Sequence, residues 1–507
     1  MKHQARAAYR AGFFVAAAGA DRVPCVAVDA GADRVAPRRV LAGQADTLPA
    51  ALGARGYNSA LTAREKKSPE NTRMTYAIGI DFGTTNSVVA IASANGHVES
   101  LQWPSHQGDG THAMTETFRT ALMFWQDGRP PQARLRSVAG PQAIARAASG
   151  QSGQRFVQSI KTHLASKAFS EARFFGKRFL IEELVATFLG HLLGPHDGHH
   201  LARASHVLSG RPVVFAGHNA DEALALGRLR KAYALSGFPG IDFAYEPLGA
   251  AYWYARNLSC DETVLVADFG GGTSDFSILR FEHAAGRLSA KPLAHGGCAI
   301  AGDTFDFRLI DNLVAPKIGK GSLVRSFDKR LPLPAYLHAA FAQWHHLSFL
   351  KSAANSAELK RLIAASEVPE QLQVLADIID LDLGFELHQA IGAVKAQLSQ
   401  DESARFAFDA AGVAMSADVT RAEFERWIAP DIAQIGQAME ATLARASLAA
   451  SQVDAVFLTG GSSYVPALRA VFAQRFGADR IHIGHAFQSV AQGLALLAVD
   501  RARQMAA

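Results

Sequence analysis

The sequence predicts an α/β protein of two lobes that repeat one plan. Three observations carry that prediction. Residues 77–87, AIGIDFGTTNS, read as an apolar strand that ends in an acid, Asp81. A tight turn of Gly83, Thr84 and Thr85 follows, and Asn86 leads into a return strand, VVAI, at 88–91. Residues 263–279, TVLVADFGGGTSDFSIL, repeat strand, acid, glycine-rich turn, hydroxyl and strand far along the chain. The third observation is length: 507 residues suffice for two lobes, each with its own core.

Each hairpin carries a chemistry. A turn that presents a concave row of backbone N–H groups, with hydroxyls beside them, is a site for an anion such as phosphate. Asp81 and Asp268, at the strand ends, repel phosphate and point instead to a divalent cation held through water. Three consecutive glycines, Gly270, Gly271 and Gly272, allow a ligand to approach the backbone closely. One such turn is an ordinary β-turn. Two copies far apart suit a ligand lying in the cleft between duplicated lobes.

Bulk properties narrow the class. Hydrophobic residues make up 49% and charged residues 19% of the chain, the composition of a globular protein rather than a disordered one. The formal charge of +5 is small for this length. Much of it comes from the first 73 residues, so no nucleic-acid surface is expected. Cys25, Cys260 and Cys298 are too few and too scattered for a disulfide framework or a zinc site, and fit reduced thiols in the cytoplasm. No apolar run reaches the roughly 18 residues of a membrane span.

The two turns, Asp-Phe-Gly-Thr-Thr-Asn-Ser at 81–87 and Asp-Phe-Gly-Gly-Gly-Thr-Ser-Asp at 268–275, resemble the two phosphate signatures of the seventy-kilodalton heat-shock chaperones. The ATPase domain of that family belongs to the actin-like, ribonuclease H-like superfamily. The similarity runs from Met74 nearly to the C-terminus. It implies a first lobe at 74–260 and a second at 261–507, with ATP or ADP and Mg²⁺ between them. Gly83, Thr84, Thr85, Asn86, Gly270, Gly271 and Gly272 would hold phosphate, and Asp81 and Asp268 would order the hydrated metal.

The remaining stretches follow in order. Residues 1–73, rich in Ala, Arg and Gly, show no sustained period. Residues 12–20, GFFVAAAGA, have the form of a short signal core, and the arginines also suit a transit peptide. The preferred reading is a disordered or mis-started extension, because Met74 directly precedes the first strand. Residues 120–125 read as a strand ending at the turn Gln126-Asp127-Gly128, residues 141–149 as a helix, and 155–165 as an amphipathic helix or a segment of the site. On the resemblance, Lys161 in that segment reaches the terminal phosphate. Residues 179–193 have helical apolar spacing. His196, His199 and His200 read as a solvated loop. Residues 207–215 are a strand broken at Gly210-Arg211-Pro212, and Pro212 resembles the family's cleft-coupling proline.

In AYEPLGAA at 244–251, Pro247 suits a first helical turn. Glu246 resembles the acid that organises metal and attacking water, although an acid is favoured at any helix N-terminus. Gly296-Gly297 and Gly302-Asp303 match a glycine-rich loop and the helix it starts, with Ala301 replacing one of the family's paired glycines. Residues 312–383 read as mainly helical, with breaks at Pro332 and Pro334. This block is longer than the family's, as in YegD-type chaperone-like proteins.

In QAIGAVKAQLS at 389–399, Lys395 and Ser399 match the family's adenosine helix, while Gly392 and Ala396 replace its glutamate and arginine. A strand pair at 404–408 and 413–416 precedes Thr420, an N-cap with Glu423 completing a capping box. In VDAVFLTGGSSYVP at 453–466, Gly460, Gly461 and Ser462 resemble the adenosine motif, with Tyr464 where the family carries arginine. Residues 490–495 resemble the final helix, and Phe487 replaces the acid before it. With the sequence read to Ala507, no peptide-binding β-sandwich is expected, so clients or co-chaperones are expected on the lobes, and Phe341, Trp344, Leu347, Phe349 and Leu350 are either that surface or packing within the block.

The function the resemblance implies is a monomeric, chaperone-like ATPase that slowly hydrolyses Mg-ATP, with Lys161, Glu246, Asp268 and Thr273 positioning water and phosphoryl group. The alternatives are a sugar-type kinase, which needs an acid to take the acceptor's proton, and an actin-like filament former. No segment declares such an acid.

Overall fold

The computed structural model describes residues 76–506, apart from 107–111, 129–131, 148, 150, 152, 197–203, 218, 257, 285–286, 340, 342–349, 351–352, 382 and 485–487. The expectations for residues 1–73 and for Cys25, His199, His200, Trp344, Leu347, Phe349 and Phe487 lie outside the described residues.

Alternation of apolar residues builds two principal sheets. The first holds β1 (Tyr76–Phe82), β2 (Asn86–Ser93), β3 (Val98–Ser100), β4 (Ala204–Arg211) and β5 (Asp242–Tyr245). Its order is β5-β4-β1-β2-β3. β1, β2 and β3 form an antiparallel meander, and β4 and β5 join parallel on the far side of β1. The second holds β6 (Glu262–Phe269), β7 (Ser274–Ala284), β8 (Arg287–Cys298), β9 (Ala455–Thr459) and β10 (Ile481–Ile483). Its order, β8-β7-β6-β9-β10, and its strand directions repeat those of the first.

Successive side chains on a strand face opposite ways, and each sheet uses both faces. Ile78, Ile80, Phe82, Val89 and Ile91 pack outward with α1 (Ile181–Leu193) and α2 (Glu222–Leu235). In the second sheet Leu265, Ala267, Phe269, Phe276 and Ile278 pack outward with α4 (Gly302–Leu309), α5 (Gly384–Leu398), α6 (Arg421–Ala446) and α7 (Pro466–Phe476). The inner faces, Ala77, Val88, Ala90 and Ala92 of one and Val264, Val266, Leu279 and Phe281 of the other, share a third core filled by α3 (Glu246–Ala255) and α8 (Ser489–Ala506). Glycine permits that layer. A Cβ on Gly493 of α8 would lie 1.7 Å from the Gly249 carbonyl oxygen of α3, and one on Gly79 of β1 would lie 2.1 Å from that of Ala491.

Several local expectations need correction. Residues 155–165 are not one amphipathic helix: Gln154–Gln158 is a strand of a small sheet with Ala121–Asp127 and Arg134–Ala139, and a 3₁₀ turn, Ile160–His163, follows. The helix expected from residue 179 begins at Ile181, because Lys177–Leu180 pairs with Glu171–Phe174. Gly296 and Gly297 lie within β8 rather than in a loop. The 312–383 block contains helices Ala353–Ala365 and Pro369–Asp380, but also a hairpin, Leu323–Ser326 with Lys329–Pro332. Phe341 and Leu350 are buried in the second-lobe core, so packing accounts for those two apolar residues. The capping box of α6 is present: the Glu423 amide donates to Thr420 Oγ1 and the Thr420 amide to Glu423 Oε2.

Candidate functional site between the lobes

The two phosphate-turn candidates face each other. The first is tight, since a Cβ on Gly83 would stand 2.0 Å from the Asn86 carbonyl oxygen. The Thr120 amide donates to the Thr85 carbonyl at 2.9 Å and fastens the turn to its lobe. The second is closed by Gly270 N–H donating to Thr273 O at 3.0 Å. The first amides of α4 then donate to it, Gly302 to the Gly270 carbonyl and Asp303 to that of Gly271, at 3.2 and 2.8 Å. A Cβ on Gly271 would meet Thr85 Oγ1 of the opposite turn at 2.6 Å and Asp303 Oδ1 at 3.0 Å. Gly272 lies opposite Thr84, whose Oγ1 would be 4.0 Å from its Cβ. A side chain at 271 would therefore displace the Thr85 hydroxyl of the other lobe and the Asp303 carboxylate.

Behind the turns lies a group of charges, of which Lys161, Glu246, Asp268 and Asp275 are buried and Asp81 is half-buried. Strand β1 ends near Asp81, β6 near Asp268, β7 begins at Ser274-Asp275, and α3 begins at Glu246. Lys161, on its 3₁₀ turn, donates to Glu246 Oε1 at 2.5 Å, with side chains 7% and 9% exposed. Burial, then the charge of Glu246, pushes Asp81 up to about 7 against the opposing Lys161. Burial and Glu246 likewise push Asp275 up to about 7. Asp268 rises well above the carboxylate range through burial, then through Glu246, Asp81 and Asp275. Burial works to lower the pKa of Lys161, but Glu246, Asp81 and Asp275 together raise it. One ammonium thus faces four carboxylates, and the pocket is short of positive charge.

Asp275 was passed over in the sequence although it stands inside the quoted motif. It accepts hydrogen bonds from Thr273 Oγ1 at 2.7 Å and from the amides of Val213 and Val214 at 2.8 and 3.0 Å. Those amides follow Pro212 at the end of β4, so this carboxylate ties the second lobe to the first. The available signal was spacing: Thr273 and Asp275, two apart entering a strand, share a face.

A second group sits beside the glycine-rich turn. Lys395 Nζ lies 2.8 Å from Asp306 Oδ1 and donates to the Gly302 carbonyl at 3.1 Å. Ser462 Oγ would be 2.8 Å from a Cβ on Gly302. Gly460 has φ +83°, and a Cβ there would strike the Phe269 carbonyl oxygen at 2.2 Å, so the Gly460-Gly461 turn lies against the end of β6. Ser399 does not join them through its side chain; its hydroxyl donates to the Lys395 carbonyl at the end of α5. Space is open at Gly392, where a Cβ would meet nothing within 4 Å. At Tyr464 the guanidinium of Arg469, from α7, lies 5.6 Å over the ring, and its Nε donates to the Ser463 carbonyl. An arginine five residues away thus lies near the position where the resemblance leads one to expect an arginine.

The residues fit a hydrated dication. Surplus buried carboxylate is what a divalent ion relieves, and glycine leaves room for phosphate at the turn. Among the described residues no three His, Cys, Asp or Glu side chains stand close enough to ligate one ion directly. Among the described residues no helix is long and apolar enough to cross a membrane.

Residues 379–500 match the family model of the Hsp70 protein. The match takes in Lys395, Ser399, Gly460, Gly461 and Ser462, and spans roughly a quarter of the chain. The two phosphate turns and Lys161, Glu246 and Asp275 lie outside it.

Proposed function

We propose that this protein is a chaperone-type ATPase that binds Mg-ATP between its lobes, hydrolyses it slowly and changes lobe closure with the nucleotide. The observation that carries the proposal is the pair of facing turns, Gly83 to Asn86 and Gly270 to Thr273, with four carboxylates and one lysine gathered behind them. The matched Hsp70 segment supports the same reading from the adenosine side. The repeated strand order supports an actin-like, duplicated architecture, with lobes at 74–260 and 261–507 and an enlarged block at 312–383.

In this proposal Thr84, Thr85 and the amides of both turns hold the phosphates. Asp81 and Asp268 hold the metal's water shell, and Gly460, Gly461, Ser462 and Lys395 flank the nucleoside. Bound Mg²⁺ would neutralise phosphate charge. Lys161, kept charged by Glu246, faces the negative charge that develops on the transferred phosphoryl group. Glu246 and the Thr273–Asp275 pair accept and orient the protons of the attacking water. The loops that bring these groups together belong to different lobes, so binding and closure are one event. Protein clients of such an ATPase would read that closure.

Calorimetric titration with ATP, with and without Mg²⁺, and phosphate release without any acceptor test the proposal. Metal-dependent binding followed by slow phosphate release is expected. Absence of binding at millimolar ATP overturns it. Turnover only after a sugar is added would instead identify a kinase, and ATP-dependent sedimentation a filament.

A further inference from the structure

Lys161 stands on a single 3₁₀ turn, Ile160–His163, a form whose own hydrogen-bond geometry is poor. The chain enters that turn through Ser159, which is buried and has φ +53°. Left-handed backbone is unfavourable for a residue that carries a Cβ, so the entry alone does not fix the turn. The exit is fastened from another element. The four carbonyls from His163 to Ser166 all accept hydrogen bonds from α2 and its cap. The amide of Asp221, the N-cap of α2, donates to the Ala165 carbonyl at 3.0 Å. Arg228 Nη1 donates to the carbonyls of His163, Leu164 and Ser166 at 3.1, 2.9 and 3.0 Å.

That nitrogen has two N–H groups for three acceptors, so one of them is shared. Carbonyls that close a helical turn have no donor within it, and a charged donor holds them more firmly than a neutral one. Arg228 is 8% exposed, so these bonds face little competition from water. They go to backbone, and what they fix is the path of the chain just after Lys161. The head of the lysine is met elsewhere, by Glu246 of α3 at 2.5 Å. Backbone and ammonium are thus held by two different helices. Release of the exit lets Ser159 relax and draws the ammonium off Glu246.

We propose that Arg228 is a positioning residue for phosphoryl transfer: through three backbone carbonyls it holds the turn that aims Lys161 at the transferred group. This rests on the reading of the cleft as an ATPase site, in which Lys161 faces the terminal phosphate.

The test compares the full chain with R228M, which keeps the apolar stem and loses the donors, and R228K, which keeps a cationic donor of a different shape. Two readouts are taken well below the melting temperature. The first is acylation of Lys161 by an amine reagent in the nucleotide-free protein, read by peptide mass spectrometry against Lys395 of the other lobe. The second is phosphate release at saturating Mg-ATP, with ATP affinity by calorimetry. R228M should acylate several-fold faster at Lys161. It should release phosphate about ten- to a hundredfold more slowly, the scale of a small misplacement of a catalytic group, with ATP affinity nearly unchanged. R228K should fall between R228M and the parent in both readouts. Parental labelling and a parental rate overturn the proposal, even where the melting temperature falls, since that pattern marks a purely structural arginine. Weakened ATP binding with an unchanged rate at saturation overturns it as well. Should R228M fail to fold, R228K decides by the same two readouts. If the parent releases no phosphate, the ATPase reading fails and the labelling comparison alone decides whether Arg228 positions Lys161.

Discussion

Asp275 is the residue whose replacement separates charge from tether. It is 1% exposed and accepts three hydrogen bonds, two of them from half-buried amides on the other lobe. Asp275→Ala removes the acceptor and leaves the Val213 and Val214 amides and the Thr273 hydroxyl without it. An orphaned buried donor costs about 1–3 kcal/mol. Relief of a carboxylate that burial already holds near pKa 7 offsets part of that sum. The net loss of stability is therefore set at about 2–4 kcal/mol. Asp275→Asn keeps an oxygen for the two amides and presents an NH₂ to Thr273, so it should cost less than about 1 kcal/mol at pH 8. The pH dependence has a definite sign. The folded pKa is raised from 3.8 to about 7, so the folded state binds the proton more tightly than the unfolded one. This group's contribution is most favourable below pH 4 and is lost as pH rises through 7. The stability of Asp275→Asn relative to the parent should accordingly improve between pH 4 and pH 7 and level off above. Urea unfolding of the three proteins from pH 5 to pH 8 measures both effects. Asp275→Ala within 0.5 kcal/mol (about the error of extrapolation) of the parent, or Asp275→Asn as damaging as alanine, would refute the tether.

Three further outcomes are expected. Asp268→Asn should fold as well as the parent, since it removes one of several mutually repelling buried carboxylates, yet lose most of its Mg²⁺-dependent ATP binding; calorimetry with and without Mg²⁺ reads this. Gly493→Ala should destabilise by more than about 3 kcal/mol, at the upper end of overpacking, because its Cβ would fall 1.7 Å from a backbone oxygen; a melting temperature equal to the parent's would contradict the close crossing. Thr420→Ala should cost about 1 kcal/mol through loss of the cap of α6, with no change in nucleotide affinity.

Local chemistry was legible and distant geometry was not. The two hairpins could be read because strand alternation, a terminal acid and glycine turns are properties of consecutive residues. The capping box at Thr420 and Glu423 and the helix start at Pro247 are local in the same way. Residues 155–165 misled because Phe156, Ile160 and Leu164 recur at helical spacing, while the strand is imposed by pairing with Ala121–Asp127. The hairpin Leu323–Pro332 gave no signal because its turn is Phe327-Asp328, without glycine, and Phe327 takes φ +54°, a region bulky residues rarely enter.

The site divides along the same line. Which residues could meet an anion was readable from type and order, because the same run of strand, acid, glycine turn and hydroxyl occurs twice. What holds those residues against one another was not. Asp275 finds its amides more than sixty positions away, Arg469 reaches Tyr464 through the start of α7, and Phe156 meets Phe385 only because two lobes close. These ties belong to the assembled cleft, and no window of sequence contains both halves. They also tie the lobes at the cleft through contacts that are each weak. Among them are the two hydrogen bonds that Asp275 accepts from the Val213 and Val214 amides and the ring contacts Phe156–Phe385 and Tyr245–His295. Such contacts together are worth a few kcal/mol. A ligand that engages both turns gains affinity for the joined state by the same order, which is enough to move a two-state equilibrium by decades. On the proposed reading, an ATPase whose output is lobe position would need that balance: lobes held far more strongly would not reopen to release product, and lobes with no ties would not bring Lys161 to the phosphate.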